Sequence, residues 1–349
     1  MVSVNGSVQR PFVAVSGGVD SLMALCLLRE KGYRPEALHG TFLPPGEREA
    51  ALSEELARIC ERLDVPLHVL DFSRDFHRLV IGPFLEDYIR GVTPNPCALC
   101  NRRIKFGLLL DAARERGGDA LATGHYARVA PGPALYRGLD SAKEQSYFLA
   151  LLTLEQLEHA AFPLGTWRKD EAVRAIRDWV GTPPATGESQ EVCFISDNDY
   201  RRFVRENAEA IPGPGPIRDS AGRYLGEHTG LYCYTLGQRR GLGIPYSEPL
   251  YVLRKDLEDN TLVVGTADEV GATECAVREM NCLLSPGQWP DTVFVQGNYR
   301  QAPRAAEAAL SGNRAKVRFF RPGPLPTPGQ VMAFYNEDGR VLGGGIISE

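Results

Sequence analysis

The sequence has no apolar run of the roughly 18 residues that a membrane-spanning helix needs. Its opening stretch, MVSVNGSVQR, has no apolar core, so no secretory signal is expected. A cytoplasmic protein without a membrane partner follows as the expectation, in a compartment where thiols stay reduced. The eight cysteines are then not a disulfide framework. There is no surplus of positive charge either. The net charge is −5, so any nucleic-acid binding has to rest on local patches. Internal repeats and low-complexity tracts are also missing. C-x-x-C occurs once, at Cys97 and Cys100. A structural zinc site usually takes four ligands from two paired motifs, so a zinc reading of this one is disfavoured.

What is present is ordinary globular material. With 43% hydrophobic and 24% charged residues over 349 positions, the chain has enough apolar content for two or three domains. Residues 1–205 alternate between strand-like and helix-like stretches. PFVAV, EALHGTF, PLHVLDF and DALATGH read as strands. SLMALCLLREKG, GEREAALSEELARICERL and FGLLLDAARERG read as helices. Such alternation predicts a parallel sheet covered on both faces. IPGPGPIRDSAGR (211–223) reads as a linker or turn cluster. Beyond it come short β segments: LYCYTLGQ, PLYVLRKDLEDNTLVVG, TVFVQGNY, RAKVRFF and QVMAFYNEDGRVLGGGII. DLEDN and NEDG are their hairpin turns. The expected architecture is α/β plus β. A doubly wound parallel-sheet domain (1–207) precedes two small β-barrel-like domains (208–273 and 274–349).

The first specific motif is VAVSGGVDSLMAL. A strand, Ala14 and Val15 at its end, runs into Ser16-Gly17-Gly18-Val19-Asp20-Ser21, and a helix begins at once. The glycines permit a tight turn and close approach of a ligand. The free N–H groups of the helix start suit an anion, and two hydroxyls add donors. The loop matches neither G-x-x-x-x-G-K-[ST] nor G-x-G-x-x-G, and it lacks the lysine that would grip a γ-phosphate. The S-G-G-x-D-S pattern resembles the PP-loop of ATP pyrophosphatases, which cut ATP between its α- and β-phosphates and adenylate an oxygen of the substrate.

Further stretches narrow the resemblance. TPNPCALCNRRIKF (93–106), ATGHYARV (122–129), LDSAKEQSYFL (139–149), ESQEVCFI (188–195) and GEHTGLYCYTLGQRRGLGI (226–244) resemble segments of the bacterial tRNA 2-thiouridylases, the MnmA family. The ending TPGQVMAFYNEDGRVLGGGII (327–347) is similar to that family's C-terminal domain, so the likeness runs nearly end to end. It implies ATP-dependent adenylation of C2 of a wobble uridine in tRNA. Sulfur transfer from a cysteine persulfide, loaded by a donor protein, follows. ATP with Mg2+ is implied at residues 14–21 and at Gly40 and Gly124, which align with the adenosine pocket. Cys193 aligns with the persulfide carrier. Cys100 aligns with the cysteine that resolves the intermediate through a transient disulfide. A thiolate is the nucleophile in such chemistry, and a free thiol with a pKa of ~8.5 needs help to ionise.

The resemblance places tRNA contacts at Asn95, Pro96, Cys97, His125, Lys143, Glu144, Gln145, Asn298, Tyr299 and Gln330. Asn298 stands where the family often has arginine. Arg102, Arg103 and Lys105 suit phosphates rather than bases, and Arg239-Arg240 is a similar pair. A wobble base lies in a single-stranded loop and is splayed out without opening a duplex. A monomer is expected. Two departures stand out. HGTFLPPGEREAAL (39–52) is shorter than the usual segment, and Cys97 replaces the aspartate of T-P-N-P-D. The new thiol leaves two alternatives open. Either Cys97 is an extra thiol beside the Cys100/Cys193 couple, or the three cysteines ligate an iron–sulfur cluster. The competing functions are a PP-loop enzyme that adenylates a small molecule and a family paralogue that binds tRNA or carries sulfur without thiolating uridine.

Overall fold

The computed structural model describes residues 9–181 and 192–348. The first four residues of the ESQEVCFI stretch and the outermost ends of the chain lie outside the described residues.

The N-terminal sheet is built from β1 (Pro11–Ala14), β2 (Glu36–Thr41), β3 (Leu67–Asp71) and β4 (Ala120–Ala122). After a hairpin of β5 (Ala127–Ala130) and β6 (Ala134–Arg137), the two-residue β7 (Ala160–Ala161) completes it. The order is β3-β2-β1-β4-β7 and every pairing is parallel. Side chains alternate between faces, as pleated strands require. Phe12, Leu38 and Leu121 enter one buried cluster with Leu109, Leu110 and Ala113. Val13, Ala37 and Ala122 enter another with Leu22, Leu25 and Ile59. The helices α1 (Val19–Glu30) and α2 (Glu47–Arg62) supply that second face. The chain leaves β1, builds β2 and β3 on one side, then returns to the other side of β1 with β4. Sheets that reverse order in this way open a crevice at the carboxyl ends of the strands beside the reversal.

Two helical runs sit between β3 and β4. Residues 73–89 are helical with a π-helical turn at His77–Ile81. Residues 96–115 start as an α-helix at Pro96–Cys100, widen into a π-helix over Asn101–Leu109 and end as an α-helix. π-helical turns are rare and occur often at functional sites.

The second unit is a four-stranded sheet of β8 (Gly215–Asp219), β9 (Tyr224–His228), β10 (Tyr251–Asp256) and β11 (Thr261–Gly265), in the order β10-β11-β8-β9. The third is a closed six-stranded barrel. β12 (Ala272–Cys282), β13 (Val293–Gln296), β14 (Arg304–Ser311), β15 (Arg314–Gly323), β16 (Val331–Tyr335) and β17 (Val341–Ser348) close in the order β12-β15-β14-β13-β16-β17. Both expected hairpins form, at Asp256↔Thr261 and Tyr335↔Val341.

Two local expectations are corrected. The stretch 211–223 is not only a linker, because β8 begins inside it. Gly215 takes a place in the ladder opposite His228, where a Cβ would fall 2.2 Å from Asn260 O. LYCYTLGQ is not a strand. Leu231–Cys233 is a 3-10 turn, and Leu231, Tyr232, Cys233 and Tyr234 are all buried in succession. A half-buried strand would alternate, and Gly230 (φ 138°) and Gly237 (φ 77°) break the extended path. The barrel also contains β14, RAAEAALS, which was not anticipated from its sequence. Alanine has little β propensity, and the strand exists because β13 and β15 pair with it on both sides.

The central strand of the first sheet carries a direct test. Phe12 is fully buried. Phe12→Ala should cost about 3–5 kcal/mol, as large-to-small changes in packed cores do. Urea titration of the full-length protein should show a lowered midpoint for the transition that reports the N-terminal domain.

Candidate active site

The loop after β1 is organised from within. Gly17 takes φ 78°, a left-handed turn that favours glycine. Ser21 Oγ donates to Gly18 O at 2.9 Å and accepts from Ser16 N at 3.1 Å, closing the loop onto the first turn of α1. Asp20 is held from elsewhere. Lys169 Nζ lies 2.7 Å from both carboxylate oxygens, and Tyr126 Oη donates to Oδ1 at 2.9 Å. Lys169 opens the helix Lys169–Val180, which packs beside α1. The lysine missing from the loop motif is therefore present in space, 149 positions along the chain. Lys169 had no recognisable signal in the sequence, and Tyr126, within ATGHYARV, had none that set it apart from its neighbours.

The loop after β4 touches the loop after β1. A Cβ on Gly124 would lie 2.6 Å from Asp20 C and 2.8 Å from Ser21 N. That contact is backbone against backbone, so only glycine fits. Gly40, at the end of β2, faces the Leu109 and Phe42 side chains, each 2.9 Å from where a Cβ would stand. His39 beside it is buried. Its Nδ1 lies 2.8 Å from Val15 O and its Nε2 2.7 Å from Glu49 Oε1. This bridge ties the shortened 39–52 segment to the base of the loop.

His125 follows Gly124 and is buried, with Nδ1 2.7 Å from Thr123 Oγ1. Burial, helped by the Lys105 cation, holds its pKa well below the usual histidine range, so the ring is neutral at physiological pH. Lys105 stands in the π-helical turn. Its cation favours the thiolate of Cys97, Cys100 and Cys193, which lie near enough together that ionising one disfavours ionising another. The fold thus unites cysteines 93 positions apart and places them next to the loop that follows β4.

The three thiols differ in setting. Asn95 caps the helix at Pro96–Cys100, its side chain accepting from Ala98 N at 3.1 Å. Cys97 is half-buried in the first turn, and Cys100, one turn on, is buried against Phe84, Ile104 and Phe194. Cys193 is exposed. Its neighbour Phe194 anchors the segment, packing at 5.2–5.7 Å against Phe76, Phe84 and Phe203. Core burial falls to Phe194 and Ile195 and leaves Cys193 accessible. Burial raises Cys97 to about 11 and Cys100 to about 12, and the protein packed around Cys193 raises its thiol as well, although that residue still reaches solvent. Lys105 opposes each shift. Asn101 is buried beside Cys100. Its Nδ2 donates to Phe148 O at 3.1 Å, whereas its Oδ1 has no partner among the described residues.

The remaining residues expected at tRNA divide into two groups. Arg103, Arg239, Arg240 and Asn298 are exposed, and Lys143, Arg102 and Tyr299 are half-buried. Tyr299 stacks on Phe148 at 4.6 Å. The others are engaged by contacts within the protein. Glu144 is buried, paired with Arg137 at 3.3 Å and accepting from Ser146 N. Gln145 Oε1 accepts from Tyr126 N at 3.1 Å. Gln330 bonds the 93–95 segment. Among the described residues, no group of three or more His, Cys, Asp and Glu side chains is arranged to hold a metal ion, and no helix is long and apolar enough to cross a membrane.

Comparison with known proteins matches the chain to three domain families in succession. They are the tRNA methyl transferase HUP domain (residues 9–197), the tRNA methyl transferase PRC-barrel domain (201–266) and the aminomethyltransferase beta-barrel domain (272–347). A protein named tRNA-specific 2-thiouridylase MnmA from Nitratidesulfovibrio vulgaris is 47% identical over 343 residues, covering 96% of this chain and 98% of that one. Proteins of the same name from Geobacter metallireducens and Moorella thermoacetica are 43% and 42% identical. They cover 97% and 96% of this chain and 96% and 98% of their own.

The thiol electrostatics predict a pH dependence. With burial raising Cys193, its alkylation by iodoacetamide should accelerate as pH climbs above 8, where the thiolate fraction grows. Lys105→Ala removes the cation that favours the thiolate. Its alkylation should be several-fold slower at pH 8.5, with the gap narrowing at higher pH. Equal rates for both proteins at pH 8.5 would show that Lys105 does not act on the thiols.

Proposed function

The chain belongs to the tRNA-specific 2-thiouridylase family, and from that premise we propose how its residues convert a tRNA uridine to 2-thiouridine. The observation that carries this reading is the packing of Cys100, on the helix it shares with Cys97, in one cluster with Phe194 and Ile195, the immediate neighbours of Cys193. Paired thiols suit sulfur transfer, in which one carries a persulfide and the other resolves it. Full-length relatives bearing the thiouridylase name favour this reading over a small-molecule ligase or a sulfur carrier.

ATP binds with its β- and γ-phosphates at Ser16–Ser21, against the N–H groups of the α1 start. Lys169 moves from Asp20 to the phosphates as pyrophosphate leaves, supplying the positive charge that the loop lacks. Mg2+ accompanies ATP. One or two carboxylates and the phosphate oxygens suffice for such an ion, and Asp20, once parted from Lys169, is the carboxylate the loop offers. Gly40 and Gly124 leave room for adenosine. The uridine O2 attacks the α-phosphorus, pyrophosphate departs, and C2 carries an AMP leaving group.

The persulfide on Cys193 then attacks C2 through its terminal sulfur, and AMP departs with the C–O bond electrons. The Cys100 thiolate attacks Cys193 Sγ. A Cys100–Cys193 disulfide forms, the thiocarbonyl sulfur stays on the base, and an external dithiol returns two electrons to the disulfide. Cys193 is the loading cysteine because it is exposed, so a donor protein reaches it. Cys97 takes the place of an acid and serves as an additional thiol. Among the described residues no group of three or more His, Cys, Asp and Glu side chains is arranged around a single metal ion, and no step is routed through an iron–sulfur cluster. Residues 1–207 carry this chemistry in a cytoplasmic, monomeric enzyme. The units divided near residues 207 and 273 extend the surface for tRNA, with Arg102, Arg103, Lys143, Asn298, Tyr299, Arg239 and Arg240 toward its phosphates.

The assay is AMP and pyrophosphate release with tRNA, together with nucleoside mass spectrometry. Asp20→Ala and Lys169→Met should each lower AMP formation by about 100- to 1,000-fold, as removal of one pre-organised charge does. ADP and phosphate as main products would contradict the PP-loop reading. Cys193→Ser should abolish persulfide loading, whereas Cys100→Ser should load and then stall. Sulfur loaded stably on Cys100 but never on Cys193 would reverse the two roles.

A further inference from the structure

The thiol-bearing loop is held by both β units. From the barrel, the turn Pro328-Gly329-Gln330 lies against residues 92–95. Thr93 N donates to Pro328 O at 3.1 Å. Gln330 Nε2 donates to Thr93 O at 3.0 Å and Pro94 O at 2.8 Å, and its Oε1 lies 3.5 Å from Asn95 Nδ2 and 3.4 Å from Tyr147 Oη. Gly329 (φ 89°) has no room for a side chain. A Cβ would fall 2.2 Å from Val92 Cγ1 and 2.8 Å from Thr93 O. From the central sheet, Lys255 Nζ donates to Gly91 O at 2.7 Å, and Leu257 packs where a Cβ on Gly91 would stand.

A primary amide has two N–H donors, and Gln330 spends both on the carbonyls of Thr93 and Pro94. None remains for a phosphate. The amide instead orders Thr93–Asn95, and Asn95 in turn caps the helix that carries Cys97 and Cys100. We propose that Gln330 and Lys255 are positioning residues for the sulfur-transfer step. They act through the 91–95 segment to set Cys97 and Cys100 against Cys193, so that the two β units are part of the active-site scaffold. Gln330 is then not a tRNA contact in this resting arrangement. The inference rests on the reading of Cys100 as the resolving thiol.

The test uses full-length Gln330→Ala, Gln330→Glu and Lys255→Met. Gln330→Glu keeps the size and the acceptor and loses both donors. Iodoacetamide labelling by peptide mass spectrometry reads each cysteine separately and needs neither tRNA nor a sulfur donor, so it fails or succeeds independently of the proposed function. Cys97 and Cys100 should label several-fold faster in all three variants, while buried Cys26 and Cys60 in the first domain stay protected. Thiolation kcat should fall by about 100-fold, the cost of roughly 1 Å of misplacement in a reacting geometry, with the tRNA Kd unchanged. Weakened tRNA binding with unchanged Cys97 and Cys100 labelling would make Gln330 an RNA contact and overturn the proposal. So would equal exposure of Cys26 and Cys60, which would mean that the turn holds the whole domain rather than the loop.

Discussion

The active site depends on one steric constraint, the passage of backbone against backbone where Gly124 meets Asp20 and Ser21. It brings the loop after β4 onto the loop after β1 at the point where the strand order of the sheet reverses. A single methyl group there would separate the phosphate loop from His125 and, beyond it, Lys105 and the thiols. The close approach is available only because both loops leave adjacent parallel strands at their carboxyl ends. The same geometry lets Tyr126 and Lys169 reach Asp20 from 106 and 149 positions further along the chain.

The thiols follow a second logic. Burial keeps Cys97 and Cys100 protonated, which protects them from adventitious oxidation, because the thiolate is the reactive form. One cation, Lys105, lowers the cost of ionising all three. Exposure is given to Cys193 alone of the three, and the aromatic cluster around Phe194 fixes where it stands. In the proposed mechanism this arrangement separates the cysteine that meets a partner from the cysteine that meets only its neighbour.

The β units are joined to this site rather than appended to it. Asn281 of β12 donates to Ala150 O and Leu152 O, and Tyr147, fully buried, lies 3.1 Å from Val331 O. The seam runs beside the loop that carries Cys97. RNA grasped by the barrel would therefore be grasped by an element in direct contact with that loop.

The sequence by itself determined the phosphate loop, the parallel alternation and the β character of the C-terminal part. Each of these is a local pattern: a glycine turn, a hydrophobic period, a short motif. The likeness of long ordered stretches to one family then joined them into a single activity. Tertiary structure decided what local pattern cannot carry. Lys169 belongs to no motif and is defined by reaching Asp20 across 149 positions. PGPIRD looks like a linker and becomes a strand because β11 and β9 pair with it. LYCYTLGQ looks like a strand and folds as a buried turn because its side chains are taken up by the core in succession. Glu144, Gln145 and Gln330 are polar residues that read as surface contacts. What a polar side chain bonds to depends on residues outside its own motif: Arg137, Tyr126 and Thr93 engage these three within the protein, and Glu144 is buried.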